Sequence, residues 1–112
     1  MTTCKRGDIV LVAFVFADEK GVKKRPALVL SSDAYQSGRQ ELIVAAITSN
    51  IDRVLIGDYK IKDWSACDLP LPSVVTGILR TIKQNMILRT LGTLPSPERK
   101  SFDKHVRLAL SL

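Results

Sequence analysis

The sequence predicts a mainly β domain: a small, strongly bent antiparallel sheet or barrel of five to seven short strands, with one C-terminal helix. Three observations predict it. Short runs rich in Val, Ile and Leu recur along the chain, and glycine or polar turns separate them. Helical spacing is clear only near the C-terminus, after Ser96-Pro97-Glu98. The chain has 112 residues, 46% of them hydrophobic, enough for one domain with one core, residues 1–112, and no visible repeat or low-complexity linker divides it.

In order along the chain, Gly7-Asp8 reads as a turn into a first strand over residues 8–16, DIVLVAFVF. Residues 17–24 are polar, contain Gly21 and read as a loop. PALVLS, residues 26–31, is a second strand; Pro26 has no N–H and suits a strand's first position or a sheet edge. After a loop over residues 32–40, ELIVAAITS (41–49) is a third strand, apolar enough to be buried on both faces. VLIGDYKI (54–61) alternates and carries Gly57, as a bulged or edge strand does. DWSACDLPLPSVV holds a turn or a single helical turn and then a strand start at residues 73–75, and the segment near 80–82 extends that sheet. MILRTLGTL (86–94) fits a strand or a short helix. In the last segment Ser96 reads as an N-cap, Pro97 as first turn and Glu98 as the acid at the positive dipole end. Phe102, Val106 and Ala109 then place one face on the core.

Charge gives the first hint of chemistry. Lys and Arg number 17 against 11 Asp and Glu, a net +6 and a pI near 9.6. Such a domain attracts polyanions, nucleic acid foremost, although surface lysines also serve solubility alone. Cys4 and Cys67 have no paired-ligand spacing and His105 is the single histidine. A four-ligand zinc site is therefore not expected, and two reduced thiols in a cytoplasmic protein are. The start, MTTCKRGD, does not read as a signal peptide, and no apolar run has the length to cross a bilayer.

The stretch GVKKRPALVLSS raises the sharpest question. Pro26 biases the residue before it toward extended backbone, so Arg25 leaves a stiff chain. A planar, pre-positioned fork of N–H groups suits a phosphate, and Lys23 and Lys24 add unspecific attraction. The plainer reading is a loop-to-strand junction with solvated cations. Thr48-Ser49-Asn50 ends the third strand with hydroxyl and amide donors; turn chemistry alone also explains it.

Taken together, GDIVLV, KRPALVLSSDAY, ELIVAAITSN and SVV followed by RTI resemble the MazF/PemK toxin family. DWSACDLPLPSVV and the SPER helix extend the likeness over nearly the whole chain. The resemblance implies an SH3-like barrel that forms a homodimer, cuts single-stranded RNA at short sequences without metal or other cofactor, and is silenced by a cognate acidic antitoxin. Carried over by position, Arg25 and Thr48 match the family's active-site arginine and hydroxyl. Lys20 stands where members often have a loop glutamate, and Glu19 lies one residue further back. The Arg-x-Asp pair that some members carry is replaced by Val75 and Gly77. The implied catalytic set is Arg25, Thr48 and Glu19. Lys20, Lys23, Lys24, Ser49, Asn50, Arg53 and Arg80 are the substrate-binding set. Two other readings stay open: a barrel that binds nucleic acid without cutting it, and a toxin on the same scaffold that poisons a topoisomerase. His105 and Trp64 are read as packing residues, His105 as half-buried on the helix.

Overall fold

The structure, a computed structural model, describes residues 4–15 and 21–112, with Val15 and Val22 described by their backbone only. Six antiparallel strands form one bent sheet: β1 (Asp8–Val15), β2 (Val22–Val29), β3 (Glu41–Thr48), β4 (Tyr59–Lys60), β5 (Val74–Lys83) and β6 (Ile87–Thr93), in the order β4-β5-β3-β2-β1-β6. The sheet does not close, because β4 and β6 are its two edges. A short helix, α1 (Asp33–Gln36), sits between β2 and β3, and a long one, α2 (Ser96–Leu110), ends the chain.

Both faces of the sheet are buried, as the nearly continuous apolar run of β3 requires. On one face Val10, Val12, Phe14, Ala27, Val29, Leu42, Val44 and Ile82 form a core. On the other, Ile9, Leu28, Ala45, Ile47 and Val75 pack with Tyr59, Ile61, Cys67, Leu94 and Phe102 of α2. Trp64 is partly buried against this second core, the packing role expected of it.

The anchor of α2 is ionic. Glu98 is buried, and its Oε1 accepts from the Tyr59 hydroxyl at 2.7 Å and the Lys62 N–H at 2.6 Å, while Oε2 accepts from the Asp63 N–H at 3.2 Å. A carboxylate holding three donors is satisfied in a place where a bare charge would be costly. Arg6 adds an ion pair to Asp103 at 2.6 Å. A Cβ on Gly92 would stand 2.5 Å from the Cys67 carbonyl oxygen, so only glycine lets β6 approach the 3-10 turn Ser65–Cys67.

Several elements differ from the sequence reading. β2 starts at Val22, which moves Lys23, Lys24 and Pro26 inside the strand. The alternating 54–61 segment keeps only Tyr59–Lys60 as strand, because Gly57 takes a positive φ of 95° and turns the chain. The two pieces expected around 73–75 and 80–82 are one strand, β5, and MILRTLGTL resolves as strand β6. Pro95, not Ser96, occupies the N-cap of α2; Ser96 is already helical and no side chain caps the end. Phe102 is fully buried and Val106 partly so, but Ala109 and His105 are exposed, His105 lying 6.0 Å from the Tyr59 ring.

Burial, followed by the charge of Glu98, pushes the Cys67 thiol up to about 11. Burial and the hydrogen bond to Glu98 also raise Tyr59. Both groups keep their protons longer folded than unfolded. Stability is therefore complete below the unfolded values and falls as pH climbs from about 9 through 11, by up to about 1.4 kcal/mol per pH unit for each such group. Denaturant midpoints measured from pH 8 to 11 should fall along this course, and Cys67→Ala should remove the thiol's share of the slope.

Candidate active site

The β2–β3 ladder pairs Ala27 with Ala46, Leu28 with Ala45 and Val29 with Val44, and then stops. Pro26 stands at the next rung and has no N–H to offer. The β1–β2 ladder, by contrast, runs on through Pro26, which pairs with Leu11, to Val22. Continuing the β2–β3 register two residues past the last rung sets Arg25 opposite Thr48. Cross-strand neighbours share a face, so the two side chains project to the same side, where the strands no longer bond to each other.

A cleft of about 890 Å³ opens there. Arg25, Lys24 and Pro26 of β2 line it, with Thr48, Ser49, Asn50 and Arg53 from the end of β3 and the turn after it. Arg80 of β5 reaches in from the far wall, its guanidinium 5.0 Å from the centre of the Phe14 ring. Lys23 lies on β2 but does not line the cleft. Glu19 and Lys20 fall outside the described residues.

Each donor has a defined posture. Thr48 Oγ1 accepts from the Asn50 N–H at 3.1 Å, and Asn50 Oδ1 accepts from the Asp52 N–H at 3.3 Å. The turn uses the hydroxyl as an acceptor, which leaves its hydrogen to be donated into the cleft. Turn chemistry and ligand binding thus coexist at Thr48. Arg25 Nη1 donates to its neighbour's carbonyl, Lys24 O, at 3.2 Å, which steadies the guanidinium from its own strand. None of Lys24, Arg25, Arg53 and Arg80 is ion-paired to a described acid.

Among the described residues Asp58 is the one acid lining the cleft, and the sequence reading missed it. Its Oδ1 accepts from the Gly77 N–H at 2.7 Å and its Oδ2 from the Leu55 N–H at 2.9 Å. These bonds fold the 55–58 turn onto β5, where Gly57 and Gly77 approach so closely that a Cβ on either would meet the other at 3.3 Å. A side chain at position 77, such as the aspartate of Arg-x-Asp, would press on the Gly57 backbone; the carboxylate here arrives from the facing turn. Thr76 is a second omission. Its hydroxyl donates to Ala46 O at 2.7 Å and accepts from the Ile78 N–H at 3.2 Å, mending the ladder where the β3–β5 register shifts. The Gly-Asp dipeptide was a visible turn signal for Asp58; nothing in the sequence marks Thr76. Leu55, Leu71 and Ile78, each more than half exposed, form an apolar rim.

Residues 5–110 match the family model of PemK-like, MazF-like toxins of type II toxin–antitoxin systems. Among solved structures, the fold is similar to MazE-MazF from Deinococcus radiodurans (TM-score 0.81, 18% identity, 100% of this chain and 99% of the other). It is also similar to the Mycobacterium tuberculosis toxin MazF-mt6 (TM-score 0.77, 24% identity, 94% and 97%). An endoribonuclease from a mycobacterial species gives a TM-score of 0.78 at 15% identity, over 100% and 95% of the chains. No curated protein sequence matches the chain.

Asp58→Ala strips both backbone N–H groups of their acceptor. The expected cost is about 1–3 kcal/mol, read as a lowered thermal midpoint, with faster amide hydrogen exchange at Leu55 and Gly77 than elsewhere in the sheet.

Proposed function

The chain belongs to the PemK-like, MazF-like toxins of type II toxin–antitoxin systems, and on that premise we propose that it is an endoribonuclease that cuts single-stranded RNA at short specific sequences without a metal. The observation that supports this reading is the placement of Arg25 opposite Thr48 at the open end of the β2–β3 ladder, within one cationic cleft.

RNA carries its own nucleophile, the 2′-hydroxyl. Alignment of that oxygen in line with the phosphorus supplies a large part of the acceleration. Arg25 donates two N–H groups to the non-bridging oxygens as negative charge accumulates on them, and the Thr48 hydroxyl holds the same phosphate. The P–O5′ bond then breaks and O5′ takes a proton from water, leaving a 2′,3′-cyclic phosphate and a 5′-hydroxyl. A guanidinium does not give up its proton readily, so Arg25 is a clamp and not the base. Asp58 has both oxygens engaged by backbone N–H groups. We assign the proton acceptor to Glu19, the acid next to the position where members of the family often carry a loop glutamate. Lys20, Lys23, Lys24, Ser49, Asn50, Arg53 and Arg80 hold the flanking phosphates and base edges, which are the source of sequence preference.

The same surface explains how the activity is silenced. Cations beside the apolar rim of Leu55, Leu71 and Ile78 suit an acidic, flexible antitoxin segment that folds on binding and competes with RNA. The protein acts as a homodimer in the cytoplasm, where its RNA substrates are. Among the described residues no helix is long and apolar enough to cross a membrane.

Labelled single-stranded RNA incubated with the protein and excess chelator is the test. Wild type should cut it at a recurring short sequence. Arg25→Ala should cut at least about 100-fold more slowly, and Thr48→Val should lose more activity than Thr48→Ser. Glu19→Gln should slow cutting by about 100-fold or more while leaving RNA affinity near wild type. RNA retained but never cut points to the non-catalytic barrel, and indifference to RNA points to the topoisomerase poison; either result overturns the proposal.

A further inference from the structure

A second cleft, of about 760 Å³, lies at the other end of β3. Gln40, just before the strand, lines this one, whereas Thr48 at its end lines the first. From Gln40 to Thr48, along β3, the two openings are about 26 Å apart at a rise of about 3.3 Å per residue. Lys5, Arg39 and Lys83 bring three cations to the second cleft against a single acid, Asp33. None of the three is ion-paired to a described acid. Lys83 follows Arg80 by three residues, so β5 carries a cation into each cleft.

The second cleft is a built feature. The Gln84 N–H donates to Gln40 O at 2.8 Å and Gln84 Nε2 to Arg39 O at 3.1 Å, which lock its two walls together. Gln36, 3% exposed, fixes the floor: its Oε1 accepts from the Ser31 hydroxyl at 2.7 Å, and its Nε2 donates to Cys4 O at 3.0 Å. The Arg39 guanidinium lies 4.3 Å over the Tyr35 ring. A guanidinium over an aromatic ring can serve as a platform on which a nucleobase stacks. Lysines on either side would take the phosphates that flank the base, and the Asn85 and Gln40 amides offer hydrogen-bond groups to its edge.

We propose that the Lys5/Arg39/Lys83 cleft is a second nucleotide subsite that holds single-stranded RNA several nucleotides away from the phosphate being cut. This rests on the reading of the chain as an RNA-cutting enzyme. An acidic peptide would satisfy the lysines, but it gives no use to the stacked Arg39–Tyr35 pair or the amides. The consequence is a length dependence: short substrates engage only the Arg25 cleft, and longer ones engage both.

The experiment uses the full chain and uncleavable 2′-O-methyl oligonucleotides of about 4 and about 12 nucleotides, lengths at the two ends of what small single-strand-binding folds cover. For the long probe, Lys5→Ala/Lys83→Ala should weaken binding about tenfold and flatten the slope of log affinity against log salt by about 1.4, or 0.7 for each lost phosphate contact. Arg39→Ala should also weaken the long probe, and Arg39→Lys should restore the salt slope without the affinity that stacking provides. The short probe, and cutting of a matched short RNA, should be unchanged in all these variants. All three side chains are exposed, so thermal midpoints should match wild type; if a variant fails to fold, Lys83→Glu alone reads the same slope. Unchanged affinity and slope for the long probe overturn the proposal, as does a variant that loses only binding of an acidic antitoxin. Neither result touches the nuclease reading, which fails separately if wild type cuts no RNA.

Discussion

The rung at which β2 and β3 stop pairing governs this molecule. Pro26 keeps its place in the β1–β2 ladder and makes no rung with β3. Two strands that would otherwise zip to their ends part there, and the parted ends carry a guanidinium on one side and a hydroxyl on the other. A pocket made this way costs little, because no buried donor is orphaned: proline has none, and the Thr48 hydroxyl turns the chain by accepting from Asn50.

The rest of the fold holds that opening rigid. A sheet buried on both faces cannot flex without disturbing two cores, and β3 contributes to each, Leu42 and Val44 on one face and Ala45 and Ile47 on the other. The two consecutive buried residues, Val44 and Ala45, adjoin the register shift against β5, where Thr76 bridges the gap. The far wall depends on Asp58, which binds its turn to Gly77. Helix α2 closes the second core through Glu98, and none of its residues lines the cleft. A buried side chain that accepts three hydrogen bonds, such as Glu98, is thus a matter of stability, which the exposed cations of the cleft are not.

Much of this was legible in the residues. The strand-rich composition, the terminal helix and the Arg25-Pro26 and Thr48-Ser49-Asn50 stretches are local signals, and local signals survive folding. What was not legible depends on pairs distant in sequence. β4 shrinks to two residues because Gly57 turns the chain toward Gly77, a meeting between positions twenty apart. β5 runs from Val74 to Lys83 because β3 pairs with it on both sides of Thr76-Gly77-Ile78, although only residues 73–75 and the segment near 80–82 read as strand. MILRTLGTL fits either period until β1 claims it as a partner. Asp58 and Thr76 had no signal as site residues because each acts on the backbone of a strand elsewhere in the chain.

The central claim is that one phosphodiester engages Arg25 and Thr48 together. Titration of 15N-labelled protein with an uncleavable single-stranded oligonucleotide, followed at the Arg25 Nε–H and the Thr48 amide, tests it most directly. The account predicts that both signals move in parallel and give one dissociation constant, which rises steeply with salt. Movement of one signal without the other, or saturation at separate constants, would contradict it.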